Sequence, residues 1–190
     1  MWGLKGKDET RRPPRRGLAV LARDRRGATI IEFAAVAAPF FALIFATIQT
    51  SFVFFAQQTL ETVSEEVSRQ LVTGAAQSSN MEQPEFLQTA CNTLQKSAPF
   101  MSCANLMVDV QTADTFEDVD SNIPDVVENN GDIKKDWQYH PGGPGKIVVM
   151  RTMYLLPVIS GPLGFNLANV GNGRRLIVAT AVFKIEPYLS

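Results

Sequence analysis

From Phe33 to Leu60 the chain carries no charged side chain. As a helix rising 1.5 Å per residue, those 28 positions extend roughly 42 Å, more than the ~30 Å hydrocarbon core of a bilayer. The most apolar part runs from Phe33 to Phe55 and holds Phe40, Phe41, Leu43, Ile44, Phe45, Ile48, Phe52, Val53 and Phe54. Beyond it the pattern changes without breaking. Val53, Ala56, Leu60, Val63, Val67 and Leu71 recur at spacings of three and four, one apolar stripe on a helix. Gln57, Thr62, Glu65, Glu66 and Arg69 make up the opposite face. The pattern predicts one helix from about Thr29 to Thr73, stopped at Gly74, that begins as a membrane span and ends as the spine of a folded domain.

Downstream, Gln77-Ser78-Ser79-Asn80 reads as a turn. Pro84 suits the first turn of a second helix, with Phe86, Leu87, Ala90, Cys91 and Leu94 on one side and Pro99 as its stop. Leu106, Val108 and Val110 alternate with Met107, Asp109 and Gln111, the pattern of a half-buried strand. Residues 113–145 are acidic and irregular, and Asp114–Asp136 reads as a solvated loop. Ile147–Leu156 and Leu176–Ile185 are two further strands, joined by a long connection marked by Gly161, Pro162, Gly164, Gly171 and Gly173. The expected fold class is α+β: a long N-terminal helix, transmembrane then amphipathic, packed on a small antiparallel sheet of about three to four strands. The expected division is a basic leader over 1–27, a transmembrane helix over 28–56 and an α+β domain over 57–190.

Charge adds a direction. Residues 1–27 hold nine Lys/Arg against three acidic residues, net +6, and the remainder is net −7. Positive flanks stay cytoplasmic, which sends the domain outward. A basic head separated from an acidic body by an apolar span reads as topology rather than nucleic-acid binding. The leader, with Pro13-Pro14 and few apolar groups, is expected to be disordered. A secretory signal peptide would be shorter and would end in small residues, whereas this span ends in Gln57-Gln58-Thr59-Leu60-Glu61. Cys91 and Cys103 fall in the part expected outside, where oxidation is possible; a bridge closing so short a loop is worth ~3 kcal/mol, and two buried thiols are the alternative.

Candidate chemistry is sparse. Asp118, Asp120 and Asn122 have the opening spacing of a calcium loop, but Ile123 stands where glycine is needed and Asn129 where glutamate is needed. His140 is the single histidine, in Trp137-Gln138-Tyr139-His140-Pro141, without partners at ligand spacing. No phosphate loop or nucleophile elbow is present. Neither a metal nor a cofactor is expected, and the reading is non-enzymatic.

One acid stands out. Glu32 lies at the edge of the apolar run, where a charge is costly toward the bilayer centre. It can snorkel to headgroups or sit in the field of the helix N-terminus. Its setting also has a more specific reading. Arg25-Arg26-Gly27-Ala28, three residues, then Glu32-Phe33-Ala34 opening an apolar helix resembles the processing site of type IV prepilins. More closely, it resembles the TadE-like family of the tight-adherence (Tad, Flp-type) pilus systems. The tail Thr180-Ala181-Val182-Phe183-Lys184-Ile185-Glu186-Pro187-Tyr188 looks like the final strand of that family.

The resemblance implies a minor pseudopilin of a type IVb pilus, held in the bacterial inner membrane with its domain in the periplasm. It implies a cut between Gly27 and Ala28 by the prepilin peptidase. It assigns Glu32, with Phe33, to assembly: the freed amine and the carboxylate pair between neighbouring helices. The partners it implies are the membrane, the peptidase, the major Flp-type pilin, other minor pseudopilins and the inner-membrane assembly platform, with no nucleic acid. Major pilins of this system usually carry Tyr after the Glu, where this chain has Phe33, and they are far shorter. The rival readings are an uncleaved anchored scaffold of the pilus machinery and an anchored envelope domain with ligand-binding or enzymatic activity.

Overall fold

A computed structural model describes residues 28–119, 122, 124–128, 134 and 136–187. The leader, including Gly27, and Asp120 of the calcium-like spacing lie outside the described residues. Helix α1 runs Ala28–Val72, followed by a short α2, Ala75–Ser78, and by α3, Gln83–Ser97. Three strands follow: β1 Leu106–Ala113, β2 Ile147–Pro157 and β3 Arg174–Lys184. They form one antiparallel sheet in the order β1-β2-β3, so the fold is α+β with three strands. By its contacts the chain divides into two units, with the break between Leu43 and Ile44.

The first unit holds the start of α1. Ala34, Ala35, Ala37, Ala38 and Ala42 favour a helix intrinsically. Ile30, Ile31, Phe33, Val36, Phe40, Phe41 and Leu43 are all exposed, so this helix has no polar face. In water that surface would cost free energy in proportion to its area; in lipid it costs nothing. Pro39 lies inside and cannot donate to the Ala35 carbonyl, a defect that membrane helices tolerate. α1 is long and apolar enough to cross a membrane.

In the second unit the rest of α1 becomes one-sided. All six stripe residues, Val53, Ala56, Leu60, Val63, Val67 and Leu71, are buried. They share one core with Val108 and Val110 of β1, Val148, Met150, Tyr154 and Leu156 of β2, and Ile177 and Ala179 of β3. Each fully buried Leu or Val there stabilises by about 1.5–3 kcal/mol. The helix stops as its sequence predicts: Gly74 takes a φ of 73°, and its N–H bonds the Leu71 carbonyl. The tail is tied back by the Glu186 N–H on the Val72 carbonyl, 2.9 Å. Pro84 lies in the first turn of α3, whose Phe86, Ala90 and Leu94 complete the core while Leu87 is exposed. Cys91 of α3 is bridged to Cys103 in the 3-10 turn before β1, with Cα atoms 5.5 Å apart.

Three expectations need correction. The stretch from Gln77 to Asn80 is not wholly a turn, because Gln77 and Ser78 end α2. β1 is not half-buried: Leu106–Val110 are buried on both faces. The reason is that the acidic stretch is not simply solvated. Val126, Val127 and Trp137 fold over the second face of the sheet against Met107, Met153 and Leu155. β2 is therefore covered on both sides, in keeping with a run of branched and apolar residues broken only by Arg151.

Candidate functional site

Ala28 and Glu32 are both helical and four positions apart, which puts the two backbone positions about one turn apart along one side of the helix. From Ala28 to Ile31 the helix carries no acidic residue. Glu32 is the nearest carboxylate in the helix, and it is exposed. Ile30, Ile31, Phe33 and Val36 around it are exposed and apolar. From Phe33 to Leu60 no other charge follows. What this arrangement can do is hold one negative charge in apolar surroundings and accept a cation, an amine above all.

The remaining candidates are held locally, Asp118 by its side chain and His140 by its backbone. Asp118 accepts from the Thr115 N–H (3.2 Å) and the Thr115 hydroxyl (2.7 Å), closing its own turn. The His140 N–H bonds the Val110 carbonyl, and its own carbonyl takes the Thr112 hydroxyl at 2.6 Å. These bonds place residues 138–140 along the outer edge of β1. Among the described residues no three His, Cys, Asp or Glu side chains gather where a metal could bind.

Several residues that sequence patterning did not single out set the geometry of the second unit. Gln49 of α1 donates to the Ile159 carbonyl, and Gln57 donates to the Val178 carbonyl of β3 at 3.1 Å. The two amides fasten an otherwise apolar helix to backbone carbonyls of the sheet domain. Both could have been noticed as rare polar residues within an apolar run. Tyr139 stacks on Phe86 with ring centroids 5.2 Å apart. Burial, and then the charge of Glu85, push its phenol up to about 12. Burial also raises the Tyr154 phenol, opposed by hydrogen bonds from the Asn105 side chain and Ser102 backbone.

Comparison with known proteins places the functional signal at the same end of the chain. Residues 27–69 match the family model described as TadE-like protein. Over that stretch the helix is similar to TadE-like proteins. The match opens on Gly27, takes in Glu32 and the whole apolar run, and stops three residues before the end of α1. The family is one of pilus-associated structural components rather than of enzymes. No curated protein and no solved structure matches the chain. The TadE-like segment is thus the apolar helix with its acidic mouth, and the sheet that stands on its far half lies outside the match.

Proposed function

We propose that this protein is a minor pseudopilin of a Tad/Flp-type pilus, taking part in type IVb pilus assembly and through it in adhesion and biofilm formation. It crosses the inner membrane once, leader inside and sheet domain in the periplasm. Prepilin peptidase cuts after Gly27, and the new Ala28 amine pairs with Glu32 of a neighbouring helix. The major Flp-type pilin, other minor pseudopilins and the assembly platform are the contacts of the exposed apolar helix. The observation that carries this reading is the position of Glu32, five residues after Gly27 and at the mouth of an uncharged helical run, within a TadE-like match that opens on Gly27.

The physical logic is charge compensation. A lone carboxylate and a lone ammonium are each costly in an apolar medium, and pairing them between subunits relieves both while fixing axial register. The test is Gly27→Leu expressed in place of the native chain. The expected result is loss of the shortened form together with loss of the protein from sheared fibres. A shortened form that persists in Gly27→Leu rejects the site. Normal pili with the leader still attached would favour an uncleaved scaffold.

A further inference from the structure

The connection between β2 and β3 differs from an ordinary surface loop. Its sixteen residues, 158–173, contain no charge in a domain that is otherwise acidic. Ile159 is 72% exposed and Leu163 85% exposed. Leu163 also holds a φ of 58°, the left-handed region that costs a branched side chain roughly 1–2 kcal/mol. An apolar side chain is thus held in a strained conformation and left exposed.

The loop lies low against α1. Gly161 stands so close to Phe45 that a Cβ there would come within 2.9 Å of the ring, and Gln49 holds the Ile159 carbonyl. Phe45, Ile48, Phe52, Pro157 and Ile159 line an apolar groove of ≈ 240 Å³ between loop and helix. Phe100 adds a second exposed ring, its centroid 5.3 Å from Phe52.

Helix arithmetic gives this level a meaning. A ~30 Å hydrocarbon core takes about 20 residues, so a span that starts at Glu32 ends near Phe52. Phe45 and Gln49 then fall about 5–10 Å inside that far boundary, the depth at which interfacial apolar segments settle. Three of the seven N–H groups in 158–165 are engaged within the domain, and at an interface the other four can meet water and headgroups. Val158, Gly161 and Phe165 spend their N–H groups within the domain, on the Gly173, Phe165 and Pro162 carbonyls, and Pro162 has none to satisfy. Arg174 and Arg175 follow directly at the base of β3 and brace the same connection, donating to the Gly171 carbonyl at 3.5 Å and the Leu167 carbonyl at 2.9 Å.

We propose that residues 158–165, with Phe100, form a foot that inserts into the outer leaflet of the membrane that α1 crosses, so that the domain rests on lipid rather than standing clear of it. The occupant is the phospholipid bilayer. The inference rests on the membrane-anchor reading, and the test separates the two.

The full chain is reconstituted in phosphatidylethanolamine/phosphatidylglycerol vesicles of two kinds, with acyl chains brominated near the headgroup or near the bilayer centre, and quenching is scored in whichever kind quenches more. Single variants Phe40→Trp, Leu163→Trp, Ile159→Trp and Phe116→Trp are compared with the parent by added tryptophan emission. Phe116 is exposed and follows β1 at the opposite end of the sheet. The expected result is blue-shifted emission, mostly quenched, for Phe40→Trp and for both loop variants, with Phe116→Trp unquenched. Quenching of Phe40→Trp alone overturns the foot and leaves the anchor standing. A blue shift at Leu163→Trp without quenching assigns the loop to a protein partner and also overturns it. Failure of Phe40→Trp to quench sinks the anchor itself.

Discussion

Asp109 and Arg151 face each other across β1 and β2 and form an ion pair of 3.1 Å, each side chain only 3% exposed. The carboxylate is fully engaged: its second oxygen takes the Gln138 N–H at 3.1 Å, and Gln111 adds a bond of 2.9 Å. The pair thereby clamps the covering segment that carries Trp137 and Tyr139 onto the sheet. Removing one partner leaves a buried charge alone, so Asp109→Ala should destabilise the domain by about 3–5 kcal/mol. Replacing both, Asp109→Leu with Arg151→Met, should cost far less. Guanidinium melts of the detergent-solubilised chain compare them, and equal losses in the single and double variants would refute the clamp.

The Cys91–Cys103 bridge ties α3 to the start of β1 across a separation of 12 residues. Loop-closure entropy for a ring of that size is worth about 3 kcal/mol. Cys91→Ala with Cys103→Ala should lower the unfolding midpoint accordingly, and dithiothreitol should do the same to the parent but not to the variant. A midpoint indifferent to reductant would mean that the thiols are free.

Tyr139 predicts an alkaline limit. Its folded pKa lies near 12, above its ordinary 10.0, so the folded state holds the phenolic proton more tightly. That contribution is complete below pH 10 and is lost as pH climbs through about 12. Tyr139→Phe keeps the ring against Phe86 and removes a buried hydroxyl with no hydrogen-bond partner among the described residues. Its stability should match the parent at pH 8 and fall less steeply above pH 10. An unchanged alkaline slope would assign that loss to other groups.

Glu32 is exposed on a bare helix, so Glu32→Gln should leave domain stability within about 0.5 kcal/mol of the parent. Assembly should nonetheless fail, with the protein kept in membranes and absent from sheared fibres. Glu32→Asp should restore part of it. Wild-type amounts of Glu32→Gln in fibres would remove this residue from the assembly mechanism.

Periodicity made the spine legible. Val53 through Leu71 recur at helical spacing because one face meets the sheet, and Gly74 marks the stop because only a left-handed residue fits there. Asp109 shows the opposite case. A polar residue in an alternating strand reads the same whether it faces water or a buried arginine 42 positions away. Nothing local in Asp114–Asp136 announced that Val126 would cap the second sheet face, since sparse apolar residues in an acidic stretch carry no period. In the β2–β3 connection, glycines and prolines signalled a loop and drew attention from Ile159 and Leu163. Glu32 was legible for another reason: a charge beside an uncharged span is conspicuous, although its distance from Gly27 has meaning only if the chain is cut there.

The most direct measurement is the intact mass of the native chain recovered from membranes and from sheared fibres. A mature N-terminus at Ala28, with the mass of residues 1–27 missing and the fibre fraction holding the short form, is the predicted result. A chain still beginning at Met1 in both fractions would contradict the pseudopilin account.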